Sequence, residues 1–304
     1  MQSSRILAAG AAAIALALSS ACVARQASVT DATMPAGAVP GPALWQLADE
    51  DTTIYLFGTV HVLPKSVAWI DPRIESALTA SQELVFELDV EADPAGMQQV
   101  MAGMAALESE QTLRDLMTPE NRMQFEEALA SYQIPAASFD RVEPWLAAMT
   151  LSIVPLLKAG YNAESGVELA LSGRGTGKTR GALETIEQQI GVFDSMPMDA
   201  QLTYLDETVE AIPEVAGTVD EMVARWLEGD AVSLAALLNE EMDNPELYRR
   251  LLSDRNANWA EWIDTRMDAP GTVFIAVGAG HLAGKDSVQE LLKGRGLTVT
   301  RVWQ

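Results

Sequence analysis

The chain contains two histidines, His61 and His281, and spends both on the same local design. Residues Thr52 to His61 read TTIYLFGTVH, and Thr272 to His281 read TVFIAVGAGH. Each is an apolar, β-branched and aromatic run, the signature of a strand, followed by Gly-x-x-His. A glycine at a strand end lets the backbone turn sharply or approach a ligand closely. This makes Gly58 and Gly278 candidate ligand-approach positions and puts each imidazole just past a strand terminus, where open α/β sheets bind ligands. One Gly-x-x-His carries little information; two copies that use every histidine in the chain point to a shared site.

Two neutral imidazoles and one carboxylate can hold a divalent metal and leave positions open for water and substrate. Metal-bound water is a nucleophile near neutral pH. Glu87, in ELVFELDV (Glu83 to Val90), is the best candidate carboxylate because it interrupts an apolar strand. The proposed ligand set is therefore His61, His281 and Glu87, for manganese, cobalt, zinc or iron. Two other readings stay open. Glu87 could lie on a solvated strand face, and paired histidines could hold haem iron, metal or peptide without turnover.

The elements that must position these residues can be read from the pattern. Ala43 to Ala48 and Thr53 to Phe57 flank Asp49-Glu50-Asp51 as a hairpin. Asp71-Pro72 starts a helix through Gln82, with Asp as cap and Pro in the first turn. In Glu83 to Val90 the alternation puts Leu84, Phe86 and Leu88 on one face and Val85, Glu87 and Asp89 on the other. Helical patterns fill Asp93 to about Gly160, starting at Asp93-Pro94, Thr118-Pro119 and Glu143-Pro144. The apolar stretch Pro144 to Leu157 reads as a buried helix that Pro155 should kink or break. A short helix is expected over Glu164 to Leu171, and long acidic helices from Thr185 to Met267, with Trp226, Trp259 and Trp262 as core anchors. A helix over Ser287 to Lys293 and a strand over Leu297 to Trp303 close the chain. Ser172 to Thr179 (SGRGTGKT) resembles a phosphate-binding loop, but no strand precedes it, so it reads as an exposed turn.

The first residues carry a different message. Arg5 followed by the apolar run Ile6 to Leu18 has the form of a secretory signal over 1–21. Cys22, the single cysteine, follows it as in a lipid-modified protein, although Ser19 stands where Leu is usual three residues before Cys. Ordinary cleavage near Ala21 or Ala24 is the alternative. Residues 22–42 read as a lipidated cysteine and flexible tether, and 43–304 as one domain. Export to the periplasmic side of the cell envelope and a membrane partner through Cys22 follow from this reading. A formal charge of −23 repels nucleic acid.

The motifs LFGTVH (Leu56 to His61) and VGAGHL (Val277 to Leu282) resemble those of the TraB/GumN family, which includes the Tiki proteases. Glu87 in VFELD, Pro144-Trp145, Leu183-Glu184-Thr185 with Gln189, and Arg255-Asn256 in SDRNANW extend the resemblance from Ala43 to the C-terminus. The chain departs from the family at Gly166-Val167-Glu168, where Gly-Val-Asp is frequent, and in the Gly-rich region around Ser172. The resemblance implies an α/β fold: a central mixed sheet flanked by helices, with a large helical insertion between the two GxxH strands and both GxxH units at one sheet edge. It also implies a metal-dependent peptidase acting on peptide or protein substrates. Arg255 then stabilises an oxyanion or clamps a carboxylate, where the residues alone leave it a surface ion pair. Asn256 orients a ligand, and Glu87 joins both as a catalytic candidate.

Overall fold

A computed structural model describes residues 40–89, 94–239 and 245–303. The expected signal, Cys22, most of the expected tether and the start of the helix expected at Asp93 lie outside the described residues.

The strands are β1 (Leu44–Ala48), β2 (Thr52–Thr59), β3 (Leu63–Pro64), β4 (Glu83–Phe86), β5 (Tyr161–Asn162), β6 (Thr179–Ala182), β7 (Gly271–Gly278) and β8 (Thr300–Arg301). Six of them form one mixed sheet in the order β6-β4-β7-β2-β1-β8, and β3 pairs with β5 separately. β6, β4, β7 and β2 run parallel, whereas β1 is antiparallel to both β2 and β8. The fold is thus α/β with a mixed sheet, and its helical insertion lies between β2 and β7 as expected.

The β1–β2 hairpin forms because Asp49 Oδ1 accepts from the amides of Asp51 and Thr52, closing the acidic turn. The central strands are buried on both faces, as parallel strands covered by helices must be. In β2, Phe57 packs into one core with Phe86, Phe274, Trp69 and Trp226. Ile54 and Leu56 enter a second core with Val85, Ile275 and Trp259. A third core, built on Trp145, Phe125, Phe193 and Leu205, belongs to the helical insertion.

Several expected boundaries move. The helix at Asp71-Pro72 is present as Pro72–Ala80, with Asp71 capping the amides of Arg73 and Ile74. The strand expected over Glu83 to Val90 ends at Phe86, leaving Glu87 in a bend just beyond it. Pro155 neither breaks nor ends its helix: Pro144–Lys158 is continuous, and Pro155 falls in the last turn. The closing strand pairs over Thr300–Arg301 alone. Within SGRGTGKT, Ser172 to Arg174 finish the helix Val167–Arg174, and Thr179 opens β6. This helix–turn–strand order is the reverse of a phosphate-binding loop. The edge strand β6 has no local sequence signal, because TRGA carries no strand-like alternation of apolar residues.

Candidate functional site

Strand order assembles the site. β2 and β7 are adjacent and parallel, with Gly58 opposite Val277 and Thr59 opposite Gly278. The two Gly-x-x-His units therefore leave the same carboxyl end of the sheet side by side. β4 lies on the other side of β7, also parallel, and delivers Glu87 to that end. The two glycines do different things. A Cβ on Gly58 would stand 3.0 Å from Ala279 Cα, so Gly58 allows the second loop to pack on the first strand. Gly278 instead donates its amide to Glu87 Oε1 at 2.6 Å.

Arg255, Asn256 and Trp259 come from the helix Asp254–Met267, entered through a π-helical turn over Arg249–Ser253. Such turns recur at functional positions because they shift the side-chain register. Arg255 and Trp259, four residues apart, share a face, with the guanidinium 4.8 Å from the indole centre.

Arg255 is the hub. Its Nη2 donates to Glu87 Oε2 at 2.7 Å. Its Nε and Nη2 donate to the two oxygens of Glu184, both at 2.8 Å, a bidentate fork. Its Nη1 lies 3.1 Å from His281 Nε2. Gln189 adds a hydrogen bond to Glu87 Oε2 at 3.0 Å, and Trp259 Nε1 one to Glu184 Oε1 at 3.0 Å. The side chains of Arg255 and Glu87 are each 7% exposed, and that of His281 is 0% exposed.

Directionality fixes the tautomer of His281. Asn256 Nδ2 donates to the Asp286 carbonyl at 2.8 Å, so Oδ1 of that amide turns to His281 Nδ1, 2.6 Å away. Nδ1 must carry the proton, and Nε2 accepts from Arg255. Burial, then the adjacent Arg255 charge, pulls His281 down to about 3, so the ring is neutral. Burial opposes ionisation of Glu87, but Arg255, the two histidines and the Gly278 amide outweigh it and bring Glu87 down to about 2.

His61 is the more open end of the site, its side chain 28% exposed. Its Nδ1 lies 2.6 Å from Glu168 Oε1. Burial would lower the ring, but Glu168, helped by Glu87, overrides it and raises His61 to about 9. Gly166 makes this contact possible: a Cβ there would fall 2.2 Å from the His61 carbonyl oxygen. The amide of Val167 donates to Val60 O at 3.1 Å, docking the helix that carries Glu168 onto the loop. The residue that departs from the expected Gly-Val-Asp thus reaches His61 with its longer arm.

The sequence grouped His61, His281, Glu87, Arg255 and Asn256, and the fold brings all of them to one end of the sheet. Arg255 is a buried hub and not a surface ion pair, and Glu87 is buried and not on a solvated face. Glu184, Gln189 and Glu168 had no assigned role; their place in the resembling motifs was the available signal. As a metal set, His61, His281 and Glu87 do not fit in this arrangement. A neutral imidazole nitrogen has one lone pair, and that of His281 Nε2 already faces a guanidinium. Among the described residues no group of three or more His, Cys, Asp or Glu side chains is arranged to hold a metal ion.

A model of the TraB/PrgY/gumN family matches residues 43–301. The chain belongs to that family. It is 27% identical over 243 residues to the uncharacterised protein YbaP of Escherichia coli (strain K12), covering 79% of this chain and 87% of YbaP. It is 24% identical over 299 residues to metalloprotease TIKI2 of Danio rerio, covering 81% of this chain and 57% of TIKI2. Metalloprotease TIKI1 of Danio rerio is 23% identical over 310 residues, covering 84% and 62%. No solved structure matches the chain.

Proposed function

We propose that the chain is a hydrolase of the peptidase class acting on exported peptides or proteins. The observation that carries this reading is the His61–Glu168 pair at the more open end of a buried charge network, in a family whose fish relatives are named metalloproteases. Raised to about 9, His61 is protonated at neutral pH and is suited to give its proton to a leaving amine. Glu168, kept ionised by His61 against its burial, orients the ring through Nδ1. Behind them Glu87, Arg255, Asn256 and His281 are positioning residues that hold the two loops in register.

The relatives' names also favour a divalent metal, manganese, cobalt, zinc or iron, as cofactor. The His281–Glu87 pair gives it no converging donor set while Arg255 is in place, so no step is assigned to it. Export and attachment to the envelope membrane through Cys22 belong to the same reading, as does the absence of a nucleic-acid partner. No described helix is long and apolar enough to cross a membrane, so attachment rests on the leader and its cysteine.

The test is a peptide library incubated with full-length protein and read by mass spectrometry, with and without chelator and added metal. His61→Ala and Glu168→Gln are expected to lower cleavage by about 10²-fold or more, the size of a lost acid–base contribution, with circular dichroism unchanged. Cleavage that disappears with chelator and returns with one of the four metals is what a metallopeptidase requires. If no peptide is cut under any metal condition, the peptidase reading fails. A non-catalytic metal-, haem- or peptide-binding protein of the envelope then takes its place.

A further inference from the structure

The duplicated histidines and the metalloprotease relatives together create an expectation that His281 and Glu87 face a metal ion. The one acceptor lone pair of His281 and three of the four lone-pair sites of Glu87 are directed otherwise. Glu87 Oε1 takes the Gly278 amide at 2.6 Å. Glu87 Oε2 takes Arg255 Nη2 at 2.7 Å and Gln189 Nε2 at 3.0 Å. His281 Nδ1 gives its proton to Asn256 at 2.6 Å, and Nε2 has the Arg255 guanidinium at 3.1 Å. A metal bonds an imidazole nitrogen at about 2.0–2.1 Å through the same lone pair that accepts a hydrogen bond. Cation and guanidinium are therefore mutually exclusive at Nε2.

We infer that Arg255 is the resident cation of the Glu87–His281 pair in this chain, occupying the position that a divalent metal would take. Four features hold it there: the bidentate Glu184 fork, the Glu87 contact, the Trp259 face, and the Leu251 carbonyl at 3.3 Å from Nη1. Guanidinium does not lose its proton in proteins, so no accessible pH removes the charge. A metal arriving at His281 would have to displace it from two carboxylates within a shell where His281 itself is 0% exposed. His281 then orients Arg255 and accepts no metal, and the two Gly-x-x-His units are unequal: one imidazole is open and paired with Glu168, the other is closed on a guanidinium.

Because the chain has two histidines, nitrogen NMR on full-length protein labelled with ¹⁵N-histidine reads both rings. A His61→Gln variant leaves one ring with its two nitrogen signals and assigns His281. The expected result is a neutral His281 ring protonated on Nδ1, with both ring nitrogens unmoved when zinc chloride is added in excess. Zinc retained after dialysis should be the same in wild type and in a folded His281→Asn variant. The inference is overturned if His281 is protonated on Nε2, if zinc shifts its Nε2 signal, or if wild type holds one zinc per chain that His281→Asn and Glu87→Gln both lose. The peptidase reading is judged separately, by cleavage. Chelator-sensitive cleavage with an unmoved His281 ring would support both and place the metal elsewhere. No cleavage with an unmoved ring would remove the peptidase reading and leave the inference standing.

Discussion

At the scale of single residues, the decisive fact is that one guanidinium satisfies two buried carboxylates and one imidazole. Glu87 and Glu184 are 7% and 9% exposed, and each depends on Arg255 for its counter-charge. Removing one partner of a buried pair leaves an uncompensated charge, which costs about 3–5 kcal/mol. Arg255→Ala should lose that much in urea unfolding at pH 7. Arg255→Lys should recover only part of it, because an ammonium cannot make the planar fork to Glu184 and reach His281 as well. A loss under about 1 kcal/mol for Arg255→Ala would show that the network is not buried as described.

The same network sets a pH profile. His281 is held at about 3 against an ordinary 6.5, so below pH 6.5 the unfolded chain takes up a proton that the folded chain refuses. Its contribution to stability is full above 6.5 and falls away as pH drops toward 3. Glu87, at about 2 against 4.5, adds stability above 4.5 that is lost as pH falls toward 2. His61 runs the other way: raised to about 9 from 6.5, its contribution is full below 6.5 and is lost as pH rises through 9. Urea midpoints measured across pH should therefore peak near neutrality. A His61→Gln variant should flatten the limb between 6.5 and 9. An alkaline limb unchanged in that variant would sink the assignment.

At the scale of elements, two loops and one helix must meet closely for His61 to reach Glu168. Gly166 is the pinch point, since an added Cβ would stand 2.2 Å from the His61 carbonyl oxygen. Gly166→Ala should cost about 1–3 kcal/mol, the usual range for forced overpacking, and should reduce cleavage by pushing Glu168 off the ring. Gly173 lies in the same helix with nothing within 4 Å of its missing Cβ. Gly173→Ala should raise stability by about 0.5–1 kcal/mol, because alanine is the better helix former, and should leave cleavage untouched. Equal behaviour of the two variants would mean that helix propensity, and not the close contact at His61, governs this region.

At the scale of the whole molecule, three cores and a six-stranded mixed sheet organise the described residues from Ala43 onward, and the proposed lipid anchor at Cys22 makes a prediction about where the protein works. Labelling with a palmitate analogue should depend on Cys22. A Cys22→Ser protein should lose the label and move to the soluble fraction after cell breakage. Continued labelling and membrane partition of that variant would remove the lipid-anchor proposal. The charge of −23 should keep the released protein off nucleic acid at low salt, where the opposite charge balance would bind.

The sequence by itself determined what is local. The strand character of TTIYLFG and TVFIAVG, the acidic hairpin turn and the Asp71-Pro72 helix start are all written in residues a few positions apart. Periodicity and capping act over that range. It also singled out both histidines and Glu87, because rare or charged residues beside apolar strands stand out in one dimension, whereas Arg255 and Asn256 stood out only through the family-like stretch SDRNANW. Only the tertiary structure decided their roles. Arg255 meets Glu87 across 168 positions, Glu184 across 71 and His281 across 26. No local pattern says which acceptor a guanidinium will choose over such distances. The β4-β7-β2 order put Glu87 beside Gly278, and the Gly166 contact turned Glu168 from a departure in a motif into the partner of His61. The surroundings of Glu87 were illegible for the same reason: its carboxylate, just past the end of β4, is held by an arginine and a glycine amide that the chain supplies much later.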